Sequence, residues 1–175
     1  CIAIMNWCGV GAAAATLELK LDKGQTYYQK TVVNQRIIQT MMGQEQVIGY
    51  GIGTGLKWEV LDVDGRANMS IRQTYIWTSL RQTGPMGQLD YDSTQRTEVP
   101  MGAEGYAALV GQSFTVKLSP QGRVLKIEDL EKVREAVEKK LPPGMEASSM
   151  DGLKVFLDEA SLKDMTELSM AMYPD

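Results

Sequence analysis

From Thr16 to about Val99, apolar and polar side chains alternate with a period of two, the pattern of half-buried strands. Leu17, Leu19 and Leu21 fall on one face, and Glu18, Lys20 and Asp22 on the other. Lys23-Gly24-Gln25 makes a turn. Tyr27 to Met42, rich in β-branched and aromatic residues, makes a long strand broken at Gly43-Gln44. The clearest alternation spans 46–63. Ile48, Tyr50, Ile52, Thr54, Leu56, Trp58 and Val60 share one face, while Gly49, Gly51, Gly53 and Gly55 share the other. Asp64-Gly65 predicts a tight hairpin, since both residues tolerate positive φ. The return strand then places Ala67, Met69, Ile71, Tyr75 and Trp77 together. A short strand over 89–93 follows, and then a short helix from Glu104 to Val110, stopped by Gly111. Phe114, Val116 and Leu118 alternate again. Ser119-Pro120-Gln121-Gly122 suits a type I turn, and Arg123 to Ile127 returns as a strand.

After that hairpin the period becomes helical. Ile127, Leu130, Val133, Val137 and Leu141 recur at three- and four-residue spacing, until Leu141-Pro142-Pro143-Gly144 ends the helix. A second helix starts near Ser149 and carries Leu153, Phe156 and Leu157. Asp158 caps a third that carries Leu162, Met165, Leu168 and Met172. Met150, Met165 and Met172 are expected as helix core. Strands first and helices later predict an α+β fold. The expected form is a long curved antiparallel sheet, an open half-barrel, with the C-terminal helices packed on its concave face.

Residues 1–15 change the picture. They carry no charge and end in Ala12-Ala13-Ala14-Ala15, immediately before the alternation begins. An apolar run closed by small residues predicts a signal-peptide remnant, cleaved after Ala15. The domain expectation is therefore a leader at 1–15 and one α+β domain over 16–175. Both cysteines, Cys1 and Cys8, lie in the leader, so the body carries no thiol. A lipid anchor at one of them is the alternative reading. The predicted location is exported, periplasmic or extracellular. No later apolar run reaches the ~20 residues of a membrane span, so no transmembrane helix is expected in the mature chain.

Composition excludes more than it assigns. The net charge is −4, the acidic excess falls in 123–175, and no basic stripe exists, which argues against nucleic acid. Histidine is absent, which removes the commonest general base and transition-metal ligand. Gly49 to Gly55 lacks nucleotide-loop spacing and lies within a strand, so it is read as a face that lets the sheet bend or another element approach closely. Asp62-Val-Asp64-Gly65 lacks the ligands of a calcium loop. Asp90 and Asp92 are read as loop carboxylates rather than a cation site. Glu18, Glu59 and Glu98, and Ser93, Ser113 and Ser119, have no local partner for catalysis. No catalytic residue, metal or cofactor is assigned. Tyr50, Trp58, Tyr75 and Trp77, on the apolar faces of neighbouring strands, are the candidate ligand-binding residues. Their competing role is simple packing beneath the helices.

Several ordered blocks carry a resemblance. They are Leu21-Asp-Lys-Gly-Gln-Thr-Tyr27, Gln39-Thr-Met-Met-Gly-Gln44, Val63-Asp-Gly65, Tyr91-Asp-Ser93, Leu109-Val-Gly111 with Phe114, and Leu118-Ser-Pro-Gln-Gly-Arg-Val124. Over 16–175 the chain resembles an uncharacterised domain family of exported bacterial proteins, planctomycete-like and Bacteroidetes-like. In that family a segment like Tyr173-Pro-Asp175 is followed by a further strand, so the resemblance implies a C-terminally incomplete domain. It brings no established activity. Two non-enzymatic functions are expected: an exported envelope protein that binds an apolar or lipid-like ligand between sheet and helices, or a structural or protein-interaction module of the envelope. A carboxylate hydrolase is the third reading. An apolar cavity of several hundred cubic ångströms separates the first from the second.

Overall fold

Two long strands, β1 (Thr26–Met41) and β2 (Gln44–Val63), pair antiparallel along their length from Thr26↔Glu59 to Met41↔Gln44. They turn at Gly43, whose φ of +78° favours glycine. The computed structural model describes residues 18–41, 43–85, 87–95, 98–143 and 153–171. The leader at 1–15, the start of the second helix near Ser149, Met150 and Met172 lie outside them.

The other strands are β3 (Met69–Gly84), β4 (Gly87–Asp92), β5 (Ser113–Leu118) and β6 (Val124–Glu128). All pairings are antiparallel, and the order β1-β2-β3-β5-β6 leaves the sheet open. One edge of β3 is divided. Residues 79–84 pair with β4, and residues 69–74 pair with β5. Between β4 and β5 the chain forms helix α1 (Glu104–Leu109). Helix α2 (Leu130–Glu138), a helical turn at 153–157 and helix α3 (Glu159–Ala171) follow the sheet. The architecture is α+β, as the alternation followed by helical spacing predicts.

The inner face carries the core. Met69, Ile71, Gln73, Tyr75, Phe114, Val116 and Leu118 are buried there, beneath Val133, Val137, Leu153 and Leu162 from the helices. Full burial of an aliphatic or aromatic side chain contributes ~1.5–3 kcal/mol each, so this face holds the helices to the sheet. Asp158 caps α3 as expected: its Oδ2 accepts the Ser161 N–H at 2.9 Å. Met165 packs against the core, but Leu168 is 59% exposed and is not core. Ile127 belongs to β6 rather than to the first helical turn.

Three local expectations are corrected. Residues 18–22 are not a strand, although Leu19 and Leu21 pack on the core and the Leu19 N–H donates to the Pro120 carbonyl. Ala67 lies in the β2–β3 turn rather than in β3, and it holds that turn's positive φ, +58°, that was expected of Asp64 or Gly65. Asp64 instead accepts the N–H groups of Arg66 and Asn68 and closes the turn through its side chain. The third correction concerns Trp77. Gly55 pairs with Trp77 and Leu56 with Tyr75, which leaves Ile76 as the extra residue of a β-bulge. The bulge reverses the alternation. Thr78 and Leu80 continue the buried face, and Trp77 turns to the opposite one.

Helix α3 touches both edges of the sheet, at β1 through Gln29 Nε2, which donates to Ser169 Oγ at 2.9 Å. At β6, α3 reaches over: Glu167 Oε1 accepts the Val124 N–H at 2.9 Å, and Arg123 Nη1 pairs with Glu167 Oε2 at 3.1 Å. The Val124 N–H, aided by Arg123, holds the Glu167 carboxyl below its usual value of 4.5. A lowered folded pKa means that this contact stabilises above the ordinary glutamate range and is lost as pH falls through the folded value. Glu167→Gln is expected to melt below the native chain at neutral pH, with the gap closing on acidification. Thermal melts across that range check it, and a gap independent of pH would refute the assignment.

Candidate functional site

The structure separates the four aromatic candidates. Tyr50, Trp58 and Tyr75 lie on the inner face, and Trp77 lies on the outer one. On the inner face, the Tyr75 hydroxyl donates to the Phe156 carbonyl at 3.1 Å, and its ring meets Phe114 and Phe156 at centroid distances of 6.0 and 6.5 Å. Tyr50 and Tyr106 share a hydroxyl–hydroxyl hydrogen bond of 3.1 Å, and Thr78 Oγ1 donates to the Tyr106 carbonyl at 2.9 Å. These contacts tie α1 and the 153–157 turn to the sheet. Burial pushes the Tyr75 phenol up, and burial followed by the Tyr50 hydroxyl does the same to Tyr106. Both rings therefore remain neutral at ordinary pH rather than serving as bases.

Alternation also places a residue that an aromatic search passes over. Gln73 falls between Ile71 and Tyr75 in core phase, directly opposite Trp58, and it is 1% exposed. A polar side chain in phase with a core stripe is a readable signal. Trp58 and Gln73 border a cavity of about 20 Å³ between the sheet and α3, with Thr54 and Thr166 also on its wall. A separate open groove of about 510 Å³ lies at the helical layer among Arg134, Leu157, Asp158 and Ser161, away from the aromatic cluster.

On the outer face, the glycine row of β2 has a clear use. The Trp77 indole lies across Gly53, where an added Cβ would collide with the ring. Its Nε1–H donates to Asp92 Oδ1 at 2.9 Å, and Lys30 Nζ sits 3.9 Å from the ring centroid. The close approach expected of the glycines is thus made by an aromatic side chain. Burial would raise the Asp92 carboxyl, but donors from Thr94 and Trp77 outweigh it and hold it low. Asp90 faces Arg81 at 3.5 Å. Asp90 and Asp92 thus lie in strand β4 rather than in the expected loop, and both have protein partners; among the described residues no group of three His, Cys, Asp or Glu could hold a metal ion.

Beyond the helices, β1 exposes apolar side chains on both faces. Val33 and Ile37 lie on the inner side, and Tyr28, Val32 and Ile38 on the outer. Exposed apolar surface of this extent marks contact surfaces more often than chemistry. No helix among the described residues is long and apolar enough to cross a membrane. No curated protein and no solved structure matches the chain. Its match is to a family model that begins just before β3 and runs through the helices, so residues 66–175 show that the chain belongs to a family of unknown function, DUF6263.

Proposed function

We propose that the chain is an exported, non-enzymatic interaction module, one α+β domain over 16–175, that binds an extended segment of another envelope protein along β1. The observation that carries this reading is the length of β1 left open at the sheet edge. Among the described residues β1 has a strand partner on one side only and exposes apolar side chains on both faces, and α3 meets it at its start, where Gln29 Nε2 donates to Ser169 Oγ at 2.9 Å. An uncovered long edge strand offers a row of backbone donors and acceptors to an incoming strand. The charge of β1 favours an acidic segment, since Lys30 and Arg36 are its only charged residues. A second copy paired there would set basic residues against basic ones. Export is supported by the uncharged, alanine-ended residues 1–15 and by a body without cysteine.

The interior supports this reading over a carrier of an apolar or lipid-like ligand. Such ligands need ~300–1,000 Å³, and the two spaces between sheet and α3 are about 20 and 50 Å³. Tyr50, Trp58 and Tyr75 instead work as core. The test is co-purification of the full-length protein from its native envelope, with Val33→Lys/Ile37→Lys as the variant. The variant is expected to keep the native melting temperature and lose the partner, and native β1 amides should exchange more slowly in the complex. A partner retained by the variant, or β1 amides unchanged on binding, overturns the proposal.

A further inference from the structure

Trp58 and Gln73 bring two buried donors to one point of the sheet. They face each other across β2 and β3 and are 6% and 1% exposed. Trp58 Nε1 and Gln73 Nε2 are both buried without a hydrogen-bond partner among the described residues. An indole nitrogen only donates, and so does an amide nitrogen, so neither can satisfy the other through these atoms. Buried donors are rarely left this way, because each has given up its hydration. Both side chains border the cavity of about 20 Å³ beneath α3. Thr54 and Thr166, 6% and 5% exposed, contribute hydroxyl groups to the same wall.

We infer that this cavity is an internal water site, in which one water accepts from Trp58 and Gln73 and donates to the threonine hydroxyls. Three features agree. The volume is just above the ~10–15 Å³ that a single water requires. Trp58 and Gln73 supply two donors, and Thr54 and Thr166, among other hydroxyls of the wall, supply groups able to accept, enough for the two to four partners such waters make. The site also lies where β2, β3 and α3 meet, so one water joins both strands to the helix through hydrogen bonds rather than through apolar contact. The cavity wall also includes Gln29 and Thr31 of β1, but Val33 and Ile37, which test the β1 contact surface, are not on it.

The test is solution NMR of the intact protein, reading the transfer of magnetisation from water to the Trp58 indole proton. A long-lived water cross-peak is expected in the native chain and is expected to be lost in Gln73→Met. The double variant Trp58→Phe/Gln73→Met needs no acceptor, so it should melt no lower than either single variant. If Gln73→Met does not fold, Thr166→Val serves as a second route. It removes a receiving hydroxyl at nearly constant volume and should shorten the water's residence. The inference is overturned if the native chain shows no water cross-peak. It is equally overturned if the amide of Gln73 is reversed, so that its oxygen accepts directly from Trp58, or if a co-purified organic molecule occupies the space.

Discussion

Tyr75→Ala is expected to cost about 3–5 kcal/mol, as aromatic-to-alanine changes in full cores do. Tyr75 is 2% exposed, and its ring is held between Phe114 and Phe156. Its removal opens space at the point where the sheet meets the 153–157 turn. Neighbours cannot collapse into that space freely, because Phe156 is also in edge contact with Tyr106. Tyr75→Phe keeps the ring and loses only the hydrogen bond to the Phe156 carbonyl, so about 0.5–1.5 kcal/mol is expected. Against a typical stability of ~5–15 kcal/mol, the alanine change approaches global unfolding. Urea titration followed by circular dichroism measures both. If Tyr75→Ala falls within ~1 kcal/mol of native, Tyr75 is not core, and the ligand-binding role given to it on sequence grounds returns.

Gly53→Ala is expected to destabilise by about 1–3 kcal/mol, the usual cost of overpacking. Alanine normally suits a strand better than glycine, by ~0.5–1 kcal/mol. The sign reverses here because the added methyl group meets the rigid Trp77 ring and Ser79 Oγ on strand β3. Trp77 cannot swing aside without losing the Asp92 hydrogen bond and the Lys30 contact. The decisive measurement is a double-mutant cycle. With Trp77→Leu already in place, Gly53→Ala should be neutral or stabilising. A cost that persists in that background would place the strain in Ser79 or the backbone rather than in the indole.

Much of this fold is legible in the order of apolar residues. The alternation through β2 locates a strand buried on one side, and the three- and four-residue spacing after Ile127 locates the helices. What was not legible traces to single residues. The run Tyr75-Ile76-Trp77 interrupts the alternation, but it does not say which of the three residues is the extra one. Only the pairing of Leu56 with Tyr75 and of Gly55 with Trp77 reveals the slip, and that one residue moved Trp77 to the other face. Leu19 and Leu21 have the spacing of a strand, yet 18–22 has no strand partner, because periodicity reports burial and not pairing. Ala67 shows a related limit: the side-chain bonds of Asp64 and Asn68 set the turn, and the residue left at positive φ is not the one that prefers it. The internal pair Trp58–Gln73 was readable only in part. Alternation puts Gln73 in core phase, but its register with Trp58 comes from the folded sheet.

The divided edge of β3 also bears on how fast the chain folds. Pairings β1–β2, β2–β3, β3–β4 and β5–β6 each join neighbours in sequence, so they close over short turns. Among the described pairings only β3–β5, from Met69↔Leu118 to Thr74↔Ser113, must wait while β4 and α1 are threaded between them. Loop closure is the entropic toll in folding, and non-local pairings set the pace. The step that joins Ile71 to Val116 is therefore the natural bottleneck. Changes at that seam slow folding, whereas changes in the β1–β2 arm mainly hasten unfolding. The same strand that anchors the helical body thus times its assembly, while the arm proposed for partner binding is free to vary without holding folding back.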